Sequence, residues 1–456
     1  MRKLAISNLL ISITMLTLVL TTTIKAETTV AVIDSGTDIQ HQDIANNVWF
    51  NQDEIADNNR DEDRNGYQDD VNGWNFAESN NQIIDYSYLG TFDQDVTRFF
   101  ILQAKILEGT HTEDELNWMR EKIKDQAFIK QLQVFGNFIH GTHVAGITVD
   151  NNPAAKVLSV KLMPTEVKLP GQSLITAQED KGVIRTLVKK ALGALAKAQM
   201  QMMVEVATYV GDHGARVANG SFGTGYTVAE GMVKTIYKKI MRKDPPAELV
   251  RDYALHFIST LLAEGKKMMA AAPNTLFVFA AGNEANDNDL NPGSPANIVA
   301  DNLISVAASY HGEKLGSFSN YGANTVHIAA PGVVISSAMP GEGHIILSGT
   351  SQAAPMVSNV ATSIVDANPN LTPKEVKEIL MGTVDLKEFL QGKVKSGGTL
   401  NGERALHAAA LTKSMEITQA ISAARTQVAD LVTQKGVGTP YRNAHHFVLP
   451  LISNFR

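Results

Sequence analysis

The sequence predicts an α/β fold: three layers, a mostly parallel sheet with helices on both faces, carrying helical insertions. Three observations lead there. Short β-branched apolar runs recur along the chain and each stops at a Gly-, Ser- or Asn-bearing turn. Stretches with helical spacing lie between them. The chain has 456 residues and is 44% hydrophobic, enough to bury a large core.

The strand runs are TTVAVIDSG (28–36), AKVLSVKLM (155–163), ARVANGSFG (215–223), TLFVFAAGN (275–283), NLISVAAS (302–309) and TVHIAAPG (325–332). Helices are expected over 183–210, 351–367 and 373–381, the last opened by Thr372-Pro373. In such sheets, chemistry gathers at the carboxyl ends of the strands. Three stretches read as insertions: an acidic, Asn-rich one at 51–82, one at 97–135 with a capping box from Thr112 to Glu115, and a helical one at 226–272 broken at Asp244-Pro245-Pro246. An amphipathic helix is expected over 412–433, before a polar tail.

Residues 1–26 have the three parts of a secretory signal: Arg2 and Lys3, an apolar stretch to Leu20, and a small-residue end at Ala26. That gives three regions: signal 1–26, main domain 27–410 and C-terminal extension 411–456. The expected destination is secreted or periplasmic, with no stable membrane association after cleavage. A net charge of −7 and no long basic run argue against nucleic acid as a partner. There is no cysteine, so an exported chain must rely on its core or on bound metal.

Four short motifs carry the chemistry. In VAVIDSGTDIQHQD, Asp34 ends a buried strand, where a carboxylate can hold an imidazole in one tautomer. In HGTHVAGI, His140 stands where a helix is expected to start, so that the positive helix end favours a neutral base. His143, one turn further, reads as structural. In FAAGNEA, Asn283 follows a strand and its amide can donate to an oxyanion. In SGTSQAAP (348–355), Ser351 opens a helix, where its own N–H can join Asn283. Gly349 permits close backbone approach, and Pro355 is expected in the first turn, where no helical N–H bond is lost. Each residue alone has a plain structural reading. Jointly they supply nucleophile, base, orienter and oxyanion donor in the order Asp…His…Ser.

These motifs closely resemble the subtilases, the subtilisin-like serine peptidases, over about residues 28–410, with some thermitase-like features. The resemblance implies Asp34 as orienting residue, His140 as general base, Ser351 as nucleophile and Asn283 as oxyanion donor. It implies a peptide or protein substrate paired along Ser221, Phe222 and Gly223. Ala281 and Gly282 complete an apolar-tolerant site, and Pro295 of SPAN matches the family's cis proline. No organic cofactor is implied.

The chain departs from the family's pattern in four places. Asp34 follows the expected cut too closely to leave room for a prodomain. Asp34 and His140 lie 106 residues apart. The 97–135 insertion ends at His140 and reads either as a wall or lid of the cleft or as surface decoration. Residue 352 is Gln where Met is common. The acidic stretch DNNRDEDRNGYQDD (57–70) places Asp61, Asp63 and Asn65 at alternating positions before Gly66, with Asp69 and Asp70 available to complete a calcium shell. The expected function is an exported serine endopeptidase using calcium structurally. Two rivals remain: a peptide-transferring or macrocyclising enzyme, in which the insertion shields the acyl-enzyme from water, and a non-catalytic peptide-binding protein with this fold.

Overall fold

The computed structural model describes residues 27–166, 181–432 and 441–452, and the expected signal at 1–26 lies outside them. In chain order the elements are β1 Thr28–Asp34, β2 Gly73–Asn75, α1 Gln94–Glu108, α2 Glu113–Lys122, α3 Gln126–Val149, β3 Ala155–Lys161, α4 Lys181–Asp212, β4 Val217–Gly220, α5 Tyr226–Met241 and α6 Ala247–Ala271. There follow β5 Leu276–Ala280, β6 Leu303–Tyr310, β7 Lys314–Leu315, β8 Ile328–Pro331, β9 Ile335–Met339, β10 Gly343–Leu347, α7 Thr350–Ala367, α8 Pro373–Gly382, β11 Asp385–Leu386, β12 Gly398–Thr399, α9 Gly402–Leu411 and α10 Ile417–Gln427.

The main sheet runs β11-β12-β8-β6-β5-β4-β1-β3-β2, with β7 paired to β6. Its core from β8 to β3 is parallel throughout. All six apolar runs became strands of this core. The period of two then builds the layers. Val30 and Val32 of β1 pack with residues of α3 and α7. Ala31 and Ile33 pack on the other face with α4, α5 and α6. Asp34 continues the Val30–Val32 parity and so belongs to the α3–α7 side.

The chain leaves β1 for β3 on one side and returns to β4 on the other. The crevice beyond the ends of β1 and β4 is therefore the switch point of the sheet, where ligands bind in open α/β folds.

Two expectations are corrected at the level of elements. The amphipathic stretch 412–433 is helical only over α10, because Val428–Leu431 leave the helix to meet buried groups: Val428 O accepts from Arg404, and Leu431 N donates to Asp385. The helix bearing His140 does not start at the motif. It starts at Gln126 with an Asp125 cap and runs unbroken through HGTH. The end of the insertion is itself helical, and the two segments fuse into one rod. His140 is therefore deep inside α3, far from its free N–H groups, and the helix-end argument for a neutral base does not apply.

Candidate active site

Asp34, fully buried, leaves β1 with Oδ1 accepting from His140 Nδ1 at 2.7 Å and from Ser35 N at 2.8 Å. Its other oxygen, Oδ2, is buried without a partner. The carboxylate thus has one acceptor committed to the imidazole, which fixes the proton on Nδ1 and leaves Nε2 as the basic nitrogen. The close seating of α3 on the β1 turn depends on Gly141: a Cβ there would stand 2.1 Å from Gly36 O. Gly141 N also donates to Ser35 Oγ at 3.1 Å.

Ser351 is the second residue of α7, behind an N-cap at Gly349. A Cβ on Gly349 would lie 2.8 Å from Gln352 Oε1 and 3.2 Å from the Asn283 amide nitrogen, so the glycine admits the donor. Pro355 sits one turn further in than expected, within α7. Its missing N–H frees the Ser351 carbonyl four residues back. Ser221 Oγ fills that vacancy, donating to Ser351 O at 2.8 Å. In return Ser351 Oγ donates to Ser221 O at 3.1 Å. Passing the hydroxyl proton to His140 requires a rotation away from Ser221.

Asn283 is oriented from behind. Its Oδ1 accepts from Thr350 N and Thr350 Oγ1, both at 2.9 Å, which turns Nδ2 outward. His140, Asn283 and Ser351 line one cavity, together with Phe100, Gln103 and Gln133 of the insertion, Gly136 and Asn137 just past it in α3, and Leu449, Pro450 and Ile452 of the C-terminal segment. The insertion is therefore a wall of this cavity, joined to it by the continuous α3. His143 is buried, its Nε2 shared between Ile335 O and Ile345 O, and burial pushes its imidazole down to about 3.

Phe222 and Gly223 extend β4 past Ser221 and border a second cavity with Met163, Met200 and Pro295. The Ser294–Pro295 bond is cis. Ala281 and Gly282 face inward instead. A Cβ on Gly282 (φ +121°) would meet the Asn320 amide at 2.1 Å, and neither residue lines the two cavities.

The acidic stretch sets Tyr67 edge-on against Trp74 of β2. Asp61 and Asp63 come together with Glu54, and Asp63 and Asp70 with His213, each set with ligand atoms within 4.8 Å of one another. Asn65 donates to Asp63 and Asp70 at 3.1 and 3.2 Å. Asp69 turns away, its two oxygens accepting from Asn58 N and Asn59 N. Burial, with the charges of Asp70 and Asp63 behind it, raises the Glu54 carboxyl. The two sets share Asp63, and their carboxylates, as hard oxygen donors, fit calcium. The calcium-loop spacing missed Glu54, which lies just before the 57–70 stretch, and His213, which only the fold brings in.

A model of the subtilase family matches residues 25–405. The chain belongs to the subtilase family. Subtilases are serine peptidases, which act on peptides or proteins. This subtilase is similar to subtilisin-like protease 1 of Plasmodium falciparum (isolate 3D7), 24% identical over 407 residues that cover 87% of this chain and 45% of that one. It is also similar to M-protease of Shouchella clausii (strain KSM-K16), 28% identical over 244 residues, 54% of this chain and 49% of that one. Subtilisin-like protease 2 of P. falciparum is 36% identical over a shorter stretch of 127 residues, 27% of this chain and 10% of that one. The subtilase spans less than half the length of each of these relatives. Among solved structures, a lanthipeptide protease is 15% identical with a TM-score of 0.47, covering 84% of this chain and 89% of that chain.

Proposed function

We propose that this subtilase is an exported serine endopeptidase. The observation that carries the reading is the buried Asp34–His140 pair, at 2.7 Å, in one crevice with Ser351 and Asn283. Ser351 Oγ attacks the peptide carbonyl while His140 Nε2 takes its proton. Asp34 steadies the imidazolium. Asn283 Nδ2 and the Ser351 N–H bind the oxyanion, a pair of donors that stabilises the transition state far more than the ground state. His140 then gives its proton to the leaving nitrogen, and water repeats the sequence to release the acyl group from Ser351.

The test is prolonged fluorophosphonate labelling of the full chain, with the adduct located by mass spectrometry. A stoichiometric adduct on Ser351, absent from Ser351→Ala, is expected. Folded protein that never labels refutes the reading. Calcium is proposed as a structural ion held by Glu54, Asp61, Asp63, Asn65 and Asp70, neutralising the carboxylate cluster. Chelation should lower Tm by several degrees, and an unchanged Tm counts against it. Export to periplasm or medium is proposed from residues 1–26; amino-terminal sequencing of exported protein should begin at Glu27. No described helix is long and apolar enough to cross a membrane.

A further inference from the structure

The C-terminal segment 441–452 lies inside the crevice. It enters over the insertion: Tyr441 N donates to Ile106 O at 3.1 Å, and Arg120 donates to Tyr441 Oη at 3.1 Å with its guanidinium 5.4 Å from the ring centre. Gln103 Nε2 then donates to Phe447 O at 2.6 Å. Phe447, Val448 and Leu451 are buried in the same core cluster as Phe99, Phe100 and Phe135 of the insertion. Next comes the site itself. Leu449 O accepts from Asn283 Nδ2 at 3.0 Å, so the proposed oxyanion donor is already engaged by a peptide carbonyl of this chain. Beyond it, Gly223 N donates to Ile452 O at 3.1 Å, and Phe222 forms a parallel bridge with Ile452. The segment thus takes both the donor for the reacting carbonyl and the strand edge after Ser221.

Two features suit residence rather than turnover. The peptide bond beside Asn283 is Leu449–Pro450. Its nitrogen is closed into a ring, whose bulk and fixed φ restrict how that nitrogen can turn its lone pair toward His140 as the bond breaks. Ser351 Oγ donates to Ser221 O.

We infer that residues 441–452 are a resident ligand of the peptide cleft, clasped there by α1, α2 and α3, and that the cleft takes apolar peptide segments like 447–452. Occupancy stands on the contacts alone. Its consequence, that the segment holds back catalysis, rests on the reading proposed above. A ligand tethered to its own site meets it at an effective concentration on the order of 1 mM, so a segment with a free Kd of about 10 μM leaves the cleft open about 1% of the time.

The test compares the full chain with Leu451→Asp/Ile452→Asp, which places two charges in buried positions. Val448→Ser, which changes the segment and leaves the cleft intact, serves as a milder release should the first variant fail to fold, folding being checked by circular dichroism. In a Ser351→Ala background, a fluorescein-labelled peptide of residues 441–452 should bind the released chain saturably by fluorescence polarisation, and bind the parent at least tenfold more weakly. With Ser351 present, release should speed fluorophosphonate labelling about 100-fold, on the same arithmetic. No peptide binding to a folded released chain, or equal binding to both chains, overturns the inference. Peptide binding with no labelling of any chain upholds occupancy and removes the peptidase reading instead.

Discussion

Replacing Asp34 by Asn tests the centre of the mechanism without changing its shape. Asp34 Oδ1 takes two donors, His140 Nδ1 and Ser35 N, while Oδ2 takes none. An asparagine can keep its oxygen toward both donors, which leaves a buried amide N–H₂ unpaired where Oδ2 stood. It can instead flip, which faces N–H against N–H at Ser35 and drives His140 into the tautomer with Nε2 protonated. In both arrangements the charge opposite the imidazolium is gone. That charge is worth about 4 kcal/mol at 4 Å and an effective dielectric near 20, or roughly a thousandfold in rate. The wrong tautomer adds to this, and the loss in a serine peptidase triad reaches about 10⁴-fold. The assay is the second-order rate of fluorophosphonate labelling of Ser351 in Asp34→Asn and parent chains, both with the C-terminal segment intact. Folding is checked by Tm. A rate within tenfold of the parent, in a folded variant, would refute the role given to Asp34.

Other consequences are open to direct measurement. Arg404, buried, donates to Asp385 Oδ1 at 2.9 Å and to the carbonyls of Thr383, Val384 and Val428. Arg404→Met strands the fully buried Asp385 carboxylate, so thermal or denaturant unfolding should show a loss of about 3–5 kcal/mol. Burial holds the imidazoles of His143 and His327 neutral, each with its pKa down at about 3. An unfolded histidine takes its proton near pH 6.5, so stability is full above that value and falls as pH drops toward 3, by about 2 kcal/mol per histidine at pH 5. His327→Gln lacks that share of the loss, and its Tm deficit against the parent should narrow between pH 8 and pH 5; parallel Tm curves would contradict this. Gln352 is buried beside Ser351, and no methionine lines the cavity it shares with His140. Mild peroxide should therefore leave the labelling rate unchanged, and rapid inactivation would count against it.

The sheet was legible because its signals are local. Each strand of the parallel core is a short apolar run with a turn residue at its end, and burial on both faces leaves no other reading. Asp34, Asn283 and Ser351 stood out because each ends or follows a strand or opens a helix, with small neighbours that backbone contact requires; His140 reads as a helix start in the sequence and lies inside α3 instead. What escaped the sequence was long-range. HGTH looks like a helix start, since glycine disfavours helix and the apolar run begins after it. Only packing against Gly36 shows why a glycine belongs inside the rod. His213, just past the end of α4, joins the acidic stretch from more than a hundred residues away. The C-terminal FVLPLI carries no motif, and its place in the crevice follows from a core shared with the insertion.

Gly141 gives the most direct test of how the insertion and the site are joined. A glycine inside a helix costs roughly 1 kcal/mol against alanine, so propensity alone favours Gly141→Ala. The structure reverses that sign. The new methyl would stand 2.1 Å from Gly36 O, a backbone atom held by the end of β1, and neither partner has a side chain that can swing aside. The helix must therefore back away from the strand. Overpacking of this kind costs typically about 1–3 kcal/mol. Because His140 and Gly141 are adjacent on one rigid rod, the same retreat stretches the 2.7 Å bond from Asp34 to His140 and the Gly141 N–Ser35 Oγ bond with it. Gly141→Ala should thus lower Tm modestly and slow labelling of Ser351 by a hundredfold or more, a misplacement of about 1 Å sufficing for that. A variant as stable as the parent and equally reactive would mean that α3 is free to slide, and that the insertion is not rigidly geared to the base.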